Sequence, residues 1–350
     1  MHAVPDLSLS LLHFRKVLAV KDSFARNIGY LRLSVTSRCN LNCMYCAAGE
    51  SNCRISADEM SADEILEIAR GASLAGFTKI RLTGGEPLIR DDITQICRGI
   101  RKIGQIKELC LTTNGVGLAS AAHDLRDSGV SGVNISIDSA DPDVLRRITG
   151  RACLDDVVAG IEAAVSAGFE SVKLNAVLLK GVNDDAQSIR RLAGFVLKYP
   201  VDLRFIELMP AKKKDFSYSG YFSGSEAVLK ALPGMMKISS PGFNEGVAAM
   251  YRLPEARGRV GIISPVTACF CRSCCRMRVT SDGKLRPCLL KNEEFSIRGL
   301  CAGAVAEEIR RAVLKKPSGH DLHSGSVRLR NAPDPETAQF GGIQMRRIGG

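Results

Sequence analysis

From residue 30 to about 206, short β-rich apolar runs alternate with helical patterns, and this alternation restricts the chain to a parallel α/β architecture. The runs are Tyr30–Val35, Lys79–Leu82, Leu109–Thr112, Val133–Ile137, Val172–Leu178 and Leu203–Ile206. The first helix opens on a capping box, Ser61 with Glu64, carries Ile65, Leu66, Ile68, Ala69 and Ala72, and stops at Gly76. Another runs from Leu154 through Ile161 and Val165 to a stop at Gly168. Six such βα units predict a parallel sheet with helices outside, as an open doubly wound sheet or as a barrel, complete or partial. Polar residues gather where strands end: Cys39 after the first, Thr83-Gly84-Gly85-Glu86 after the second, Thr113-Asn114-Gly115 after the third. In a βα barrel that rim carries the active site. Past residue 210 the rhythm breaks. Lys212-Lys213-Lys214 and Ser217–Ser225 read as a linker, followed by a strand-like run at Val260–Ile263, a helix near Val305–Leu314 and a polar tail.

The 13 Cys are an odd count and so a poor disulfide framework, and a chain of 350 residues is too large to need such staples. Leu7–Val20 carries His13, Arg15 and Lys16 inside its apolar stretch, where a signal peptide would place charge ahead of it. A reducing, cytoplasmic setting is therefore expected, with no membrane span. A net charge of +11 asks for an anionic partner, and charge alone does not separate nucleic acid from nucleotide or membrane phosphate.

Seven of the Cys lie in two short groups. Cys39-x3-Cys43-x2-Cys46 places three thiolates on one loop, enough for three irons of a [4Fe–4S] cube whose fourth iron stays open. A Zn2+ site would complete four ligands locally, and no His lies within the loop. This spacing resembles the motif of the radical S-adenosylmethionine superfamily, in which the open iron chelates the methionine moiety of the cofactor and one electron releases a 5′-deoxyadenosyl radical. Thr83-Gly84-Gly85-Glu86-Pro87 is similar to the superfamily's GGEP segment, which offers backbone groups to the cofactor's amino end. The second group, Cys271-x2-Cys274-x13-Cys288, suits either Zn2+ completed by Cys269 or Cys275 or a second three-ligand [4Fe–4S] cluster. Arg32, Lys79, Arg81, Lys173, Arg204, Arg276 and Arg278 form a cationic set near strand ends. Charge inside an apolar strand is costly unless partnered, and a polyphosphate ligand accounts for the set better than scattered salt bridges.

Together these segments resemble the GTP 3′,8-cyclase family, which opens molybdenum-cofactor biosynthesis. Further segments carry the likeness: Leu31-Arg32-Leu33-Ser34-Val35-Thr36, Leu111-Thr112-Thr113-Asn114-Gly115, Asn134-Ile135-Ser136-Ile137-Asp138, Gly181-Val182-Asn183-Asp184, Arg204-Phe205-Ile206-Glu207 and the terminal Gly349-Gly350. The resemblance implies an incomplete (βα)6 TIM-like barrel over 22–210, closed by a C-terminal region 211–350 with a second [4Fe–4S] cluster; residues 1–21 form an extension. It implies cluster ligands Cys39, Cys43, Cys46, Cys271, Cys274 and Cys288. Tyr45, Gly85, Ser136 and Met209 would touch S-adenosylmethionine. Arg32, Arg81, Thr112, Lys173, Arg276 and Arg278 would bind GTP, and Gly349 and Gly350 would enter the barrel beside the substrate. The implied reaction turns GTP into 3′,8-cyclo-7,8-dihydro-GTP. Implied partners are an electron donor and a downstream cyclic pyranopterin monophosphate synthase, with a homodimer as one possible assembly.

The chain departs from the family at Ser37, where Asp is usual, and at Ala47-Ala48 in place of Met-Pro. Cys53, Cys269 and Cys275 are additional thiols, and two of them flank the second ligand set. Two other readings stay open at this stage. One is a peptide-modifying radical enzyme with an auxiliary cluster. The other is a basic Zn-bound nucleic-acid module, which the lack of aromatics interleaved with basic residues disfavours.

Overall fold

Local signals set the element ends in the computed structural model, which describes residues 20–46, 59–210, 216–238 and 246–320. An antiparallel pair, β1 (Val20–Lys21) and β2 (Asn27–Ile28), precedes β3 (Tyr30–Ser34). Helix α1 (Ala62–Leu74) carries the expected capping box, with Ser61 accepting from the Glu64 amide and the Glu64 carboxylate accepting from that of Ser61. Next come β4 (Lys79–Thr83), α2 (Ile93–Arg101), β5 (Glu108–Thr113), α3 (Leu118–Asp127) and β6 (Gly132–Ser136). Two helices follow, α4 (Pro142–Thr149) and α5 (Leu154–Ser166), then β7 (Ser171–Leu178), α6 (Ala186–Lys198) and β8 (Asp202–Glu207).

The six strands β3 to β8 are parallel and lie in sequence order. Period-two alternation sends Leu31 and Leu33 of β3 into the fully buried core, while Tyr30 and Arg32 face the lumen.

The C-terminal region completes the architecture by joining both sheet edges. After α7 (Tyr218–Tyr221), α8 (Glu226–Ala231), β9 (Met236–Lys237) and β10 (Ala249–Arg252), strand β11 (Arg259–Ile263) runs parallel beside β8. Strand β12 (Arg276–Val279) runs parallel beside β3, at the opposite edge, followed by β13 (Lys284–Arg286) and β14 (Phe295–Ser296). The sheet is not closed by pairing, so the barrel is partial; the connection from β11 to β12 spans its open side and carries Cys269, Cys271, Cys274 and Cys275. Helix α9 (Ala302–Leu314) packs on α1, so tightly that a Cβ on Gly71 would lie 2.4 Å from Val305 Cγ1.

The linker reading of Ser217–Ser225 is corrected. Tyr218 and Tyr221 of α7, with Phe216, pack on Leu179, Val182 and Leu208, and Phe222 bridges to Leu179. Gly and Ser content masked an aromatic patch with a buried partner. Lys212, Lys213 and Lys214, Cys53, Gly349 and Gly350 lie outside the described residues.

Candidate active site

The cysteine loop begins where β3 ends and is held by backbone contacts at both ends and by side chains around it. The Gly85 and Glu86 amides donate to the Thr36 and Arg38 carbonyls at 2.8 and 2.7 Å. A Cβ on Gly85 would fall 1.9 Å from the Arg38 carbonyl oxygen, so only glycine lets the two loops meet. The glycine pair is thus fitted against the cysteine loop. At its far end the Asn42 and Met44 amides donate to Thr149 and Ile148, at the end of α4. Underneath, Glu59 accepts from Thr36 Oγ1 at 2.7 Å and pairs with Arg38 and Arg90.

Buried carboxylates brace the rim. Glu86 accepts from the Leu88 amide, Thr113 Oγ1 and the Asn114 amide at 3.0, 2.7 and 2.6 Å, tying the ends of β4 and β5 together. Asp138 accepts from Tyr45 Oη and the Val177 amide, each at 2.8 Å, and so sets the Tyr45 ring against β7. Asn183 donates to the Asp138 and Val177 carbonyls at 2.7 and 2.9 Å, which accounts for the Gly181–Asp184 motif. Glu207, at the end of β8, accepts from the Val266 and Thr267 amides at 3.1 and 3.0 Å and anchors the segment crossing the open side.

Burial outweighs these hydrogen bonds and raises Glu86 to about 7 and Asp138 to about 6. With a raised folded pKa, the folded chain holds a proton that the unfolded chain has released. The Glu86 contribution is therefore fully present below about pH 4.5 and is lost as pH rises through about 7. Glu86→Gln should flatten the fall in melting temperature across that window. An unchanged slope in thermal unfolding of the variant would assign the titration to another group.

Two cavities open inside the sheet. The first, about 250 Å³, is lined by Cys39, Cys43 and Cys46 together with Tyr45, Gly85, Ser136 and Met209, so every residue expected for the first cluster and its cofactor meets there. The second, about 200 Å³, shares Asn175, Ile206 and Met209 with the first. Arg32, Lys79, Arg81, Lys173, Arg204 and Arg276 line it, with no Asp or Glu among its described lining residues. Burial, reinforced by the neighbouring cations, brings Arg32 and Arg204 down to about 10 and Lys173 to about 8. Burial alone would raise the Tyr30 phenol, but Arg81 and Arg32 beside it bring it down to about 8. Arg81 Nε donates to Tyr30 Oη at 2.7 Å.

Of the expected GTP residues, Arg32, Arg81, Lys173 and Arg276 line this second cavity. Thr112 lines the first instead, and Arg278 lines neither, lying buried on β12 beside Arg32. The structure adds Tyr30, Asn134 and Asn175 to the lumen. Strand alternation could have found them, since Asn134 and Lys173, and Asn175 and Arg204, are cross-strand neighbours.

At the second cysteine group, burial would raise Cys274, but Lys316 and Arg276 outweigh it and bring the thiol to about 7. Burial and the adjacent Cys269 push Cys271 up. Cys288 packs with Met209, Leu289 and Leu290. Among the described residues, the ligand atoms that all lie within 4.8 Å of one another belong to Cys269, Cys271 and His320. The irons of a cubane occupy separate corners, so its thiolates stand farther apart than the ligands of one ion.

Residues 33–193 match the Radical SAM superfamily and residues 201–322 match Molybdenum Cofactor Synthesis C. A GTP 3′,8-cyclase of Thermodesulfovibrio yellowstonii is 40% identical over 323 residues, covering 88% of this chain and 98% of that protein. One from Peptoclostridium acidaminophilum is 41% identical over 310 residues, covering 87% of this chain and 94% of that one. The chain belongs to the GTP 3′,8-cyclase family. Its fold is similar to Streptococcus suis SuiB bound to S-adenosylmethionine, with a TM-score of 0.56 and 16% identity, covering 91% of this chain and 75% of that one.

The residues present fit the cofactors of this family. Three thiols line one wall of the first cavity, and the buried Thr83 Oγ1, Thr112 Oγ1 and Asn175 Oδ1 on its other walls have no hydrogen-bond partner within the protein. Arg204 Nε and Asn134 Oδ1 stand the same way in the cationic cavity. Such atoms are expected where a polar ligand completes the site.

Proposed function

We propose that the two adjoining cavities divide the work of the cyclase, the cysteine-lined one taking S-adenosylmethionine and the cationic one taking GTP. The activity is that of the family, conversion of GTP to 3′,8-cyclo-7,8-dihydro-GTP as the first step of molybdenum-cofactor biosynthesis. The observation that carries the division is six cations and, among the described lining residues, no carboxylate in a cavity that shares Asn175, Ile206 and Met209 with the cysteine-lined one. A triphosphate supplies the countercharge that this cavity lacks. When bound, a cluster on Cys39, Cys43 and Cys46 would supply the electron for cleaving S-adenosylmethionine, the radical chemistry that GTP cyclisation requires.

The chain's own residues orient and enclose. Tyr45, fixed by Asp138, and Gly85, fixed against Arg38, shape one end of the cofactor cavity, and Ser136 and Met209 the other. Arg32, Arg81, Lys173 and Arg276 hold the substrate's phosphates and ribose, and Lys79 and Arg204 extend that set. Thr112 joins the substrate site from the wall of the cofactor cavity, and Arg278 supports Arg32 from the neighbouring strand. Cys271, Cys274 and Cys288 would hold the second cluster next to the substrate. Gly349 and Gly350, expected beside the substrate from the resemblance, lie outside the described residues.

Domain limits follow the same reading: 22–210 as core, 211–350 as the cluster-bearing region and 1–21 as an extension. Among the described residues no helix is long and apolar enough to cross a membrane, and the reading places the chain in the cytoplasm. There an electron donor reduces the clusters and a cyclic pyranopterin monophosphate synthase consumes the product. The test is anaerobic reconstitution followed by incubation with GTP and S-adenosylmethionine. The cyclised product and 5′-deoxyadenosine should appear together; cofactor cleavage with GTP left intact would overturn the substrate assignment.

A further inference from the structure

Cys269 and Cys271 sit two residues apart on the segment that crosses the open side, while His320 arrives from beyond α9. Their ligand atoms all lie within 4.8 Å of one another. The meeting is built into the packing. Arg26, locked by Asp22 at 2.6 Å with both side chains buried, donates to the Cys271 carbonyl at 2.8 Å. The same guanidinium donates to the Pro317 and Ser318 carbonyls at 2.6 and 3.2 Å, so one cation clamps both ligand-bearing segments together. The Cys271 amide donates to Cys269 Sγ at 3.4 Å, and the His320 backbone amide hydrogen-bonds the Cys271 thiol. A Cβ on Gly319 would stand 3.9 Å from Cys271 Sγ, so the chain before His320 already lies against the thiol. The three ligands face an open pocket lined also by Arg26 and Arg272.

We infer that Cys269, Cys271 and His320 form a mononuclear site for a thiophilic divalent cation, Zn2+ by its donor set, that overlaps the second cluster's ligand set at Cys271. Two thiolates and one imidazole are the protein ligands of an open tetrahedral Zn2+ site, with water in the fourth position. Binding releases the two thiol protons, and the resulting charge balances the metal, so the nearby guanidinium groups do not repel a net cation. Because Cys271 is also a proposed ligand of the second cluster, the cation and that cluster exclude each other. That consequence, unlike the site itself, rests on the proposed cluster ligands. A chain that meets Zn2+ before iron and sulfide would be held with one cluster only.

The experiment uses the full chain, anaerobic and freed of iron, titrated with Co2+ and then Zn2+. Wild type should give thiolate-to-cobalt charge transfer and tetrahedral d–d bands that one equivalent of Zn2+ abolishes. Cys269→Ser and His320→Gln should each weaken binding by more than the roughly 10–100-fold that loss of an outer-shell partner costs. Cys274→Ser and Cys288→Ser should leave it unchanged. Binding that survives Cys269→Ser, or that requires Cys274 and Cys288, would overturn the site. Reconstitution with Zn2+ present then separates the two readings. Wild type should keep zinc and lose about four irons, while Cys269→Ser should take up about eight. Zinc held through Cys269 with iron undiminished would uphold the site and remove Cys271 from the cluster's ligands.

Discussion

Replacing Cys39, Cys43 and Cys46 together by Ala should leave about half of the iron in the reconstituted chain and abolish cleavage of S-adenosylmethionine. The loss is partial in iron because the proposed ligands of the second cluster lie on other segments, Cys271 and Cys274 between β11 and β12 and Cys288 after β13. It is complete in chemistry because only the first cavity brings thiols together with Tyr45, Gly85, Ser136 and Met209. The fold should survive. The loop is held by the Gly85 and Glu86 amides and by the Asn42 and Met44 amides, none of which involves a thiol. Iron and sulfide analysis, with 5′-deoxyadenosine as the chemical readout, decides the matter. Undiminished iron, or cofactor cleavage by the variant, would sink the assignment.

Lys173→Ala and Arg81→Ala should each weaken GTP binding by about 1.5–3 kcal/mol, roughly tenfold to a hundredfold, while both clusters still assemble. The two differ in what they do to the chain without substrate. Burial, Arg204 and Arg81 depress Lys173 to about 8, so at lower pH its charge is tolerated rather than welcomed. With a folded pKa below the ordinary lysine value, the unfolded chain binds the proton more readily. Stability therefore rises as pH climbs from about 8 towards 10.5. Near neutral pH, Lys173→Ala should hold or raise the melting temperature as it lowers affinity for GTP, the pattern of a residue kept for function at the expense of stability. Arg81 also donates to Tyr30 Oη and to the Leu111 carbonyl, at 2.7 and 3.2 Å, so Arg81→Ala should lower both stability and affinity. Guanosine, lacking phosphate, should bind poorly to the wild type. Unchanged GTP affinity with reduced stability in both variants would make these cations structural partners.

Local sequence signals specify the elements and the grouping of Cys39, Cys43 and Cys46 on one loop. Strands β3 to β8 and their helices were legible because the signals are local: apolar period, the Ser61 capping box, and Gly76 and Gly168 past the helix ends, both at positive φ. Cys39, Cys43 and Cys46 were legible because they share one loop. The segment around Tyr218 was misread because its composition is that of a linker, and only Leu179, Val182 and Leu208, distant in sequence, supply the surface that orders it.

Tertiary structure alone decided three things. It placed β11 and β12 at opposite edges of the sheet, so that their connection spans the open side. It gathered six cations from five strands into one lumen, while leaving Thr112 in the other cavity and Arg278 beside Arg32 on the neighbouring strand. It brought His320 to Cys269 and Cys271 through the Arg26 clamp. Each is a pairing between residues far apart along the chain, set by strand register and by where a buried charge finds its partners. Spacing in a sequence records neighbours along the backbone, and these neighbours exist only once the sheet has formed.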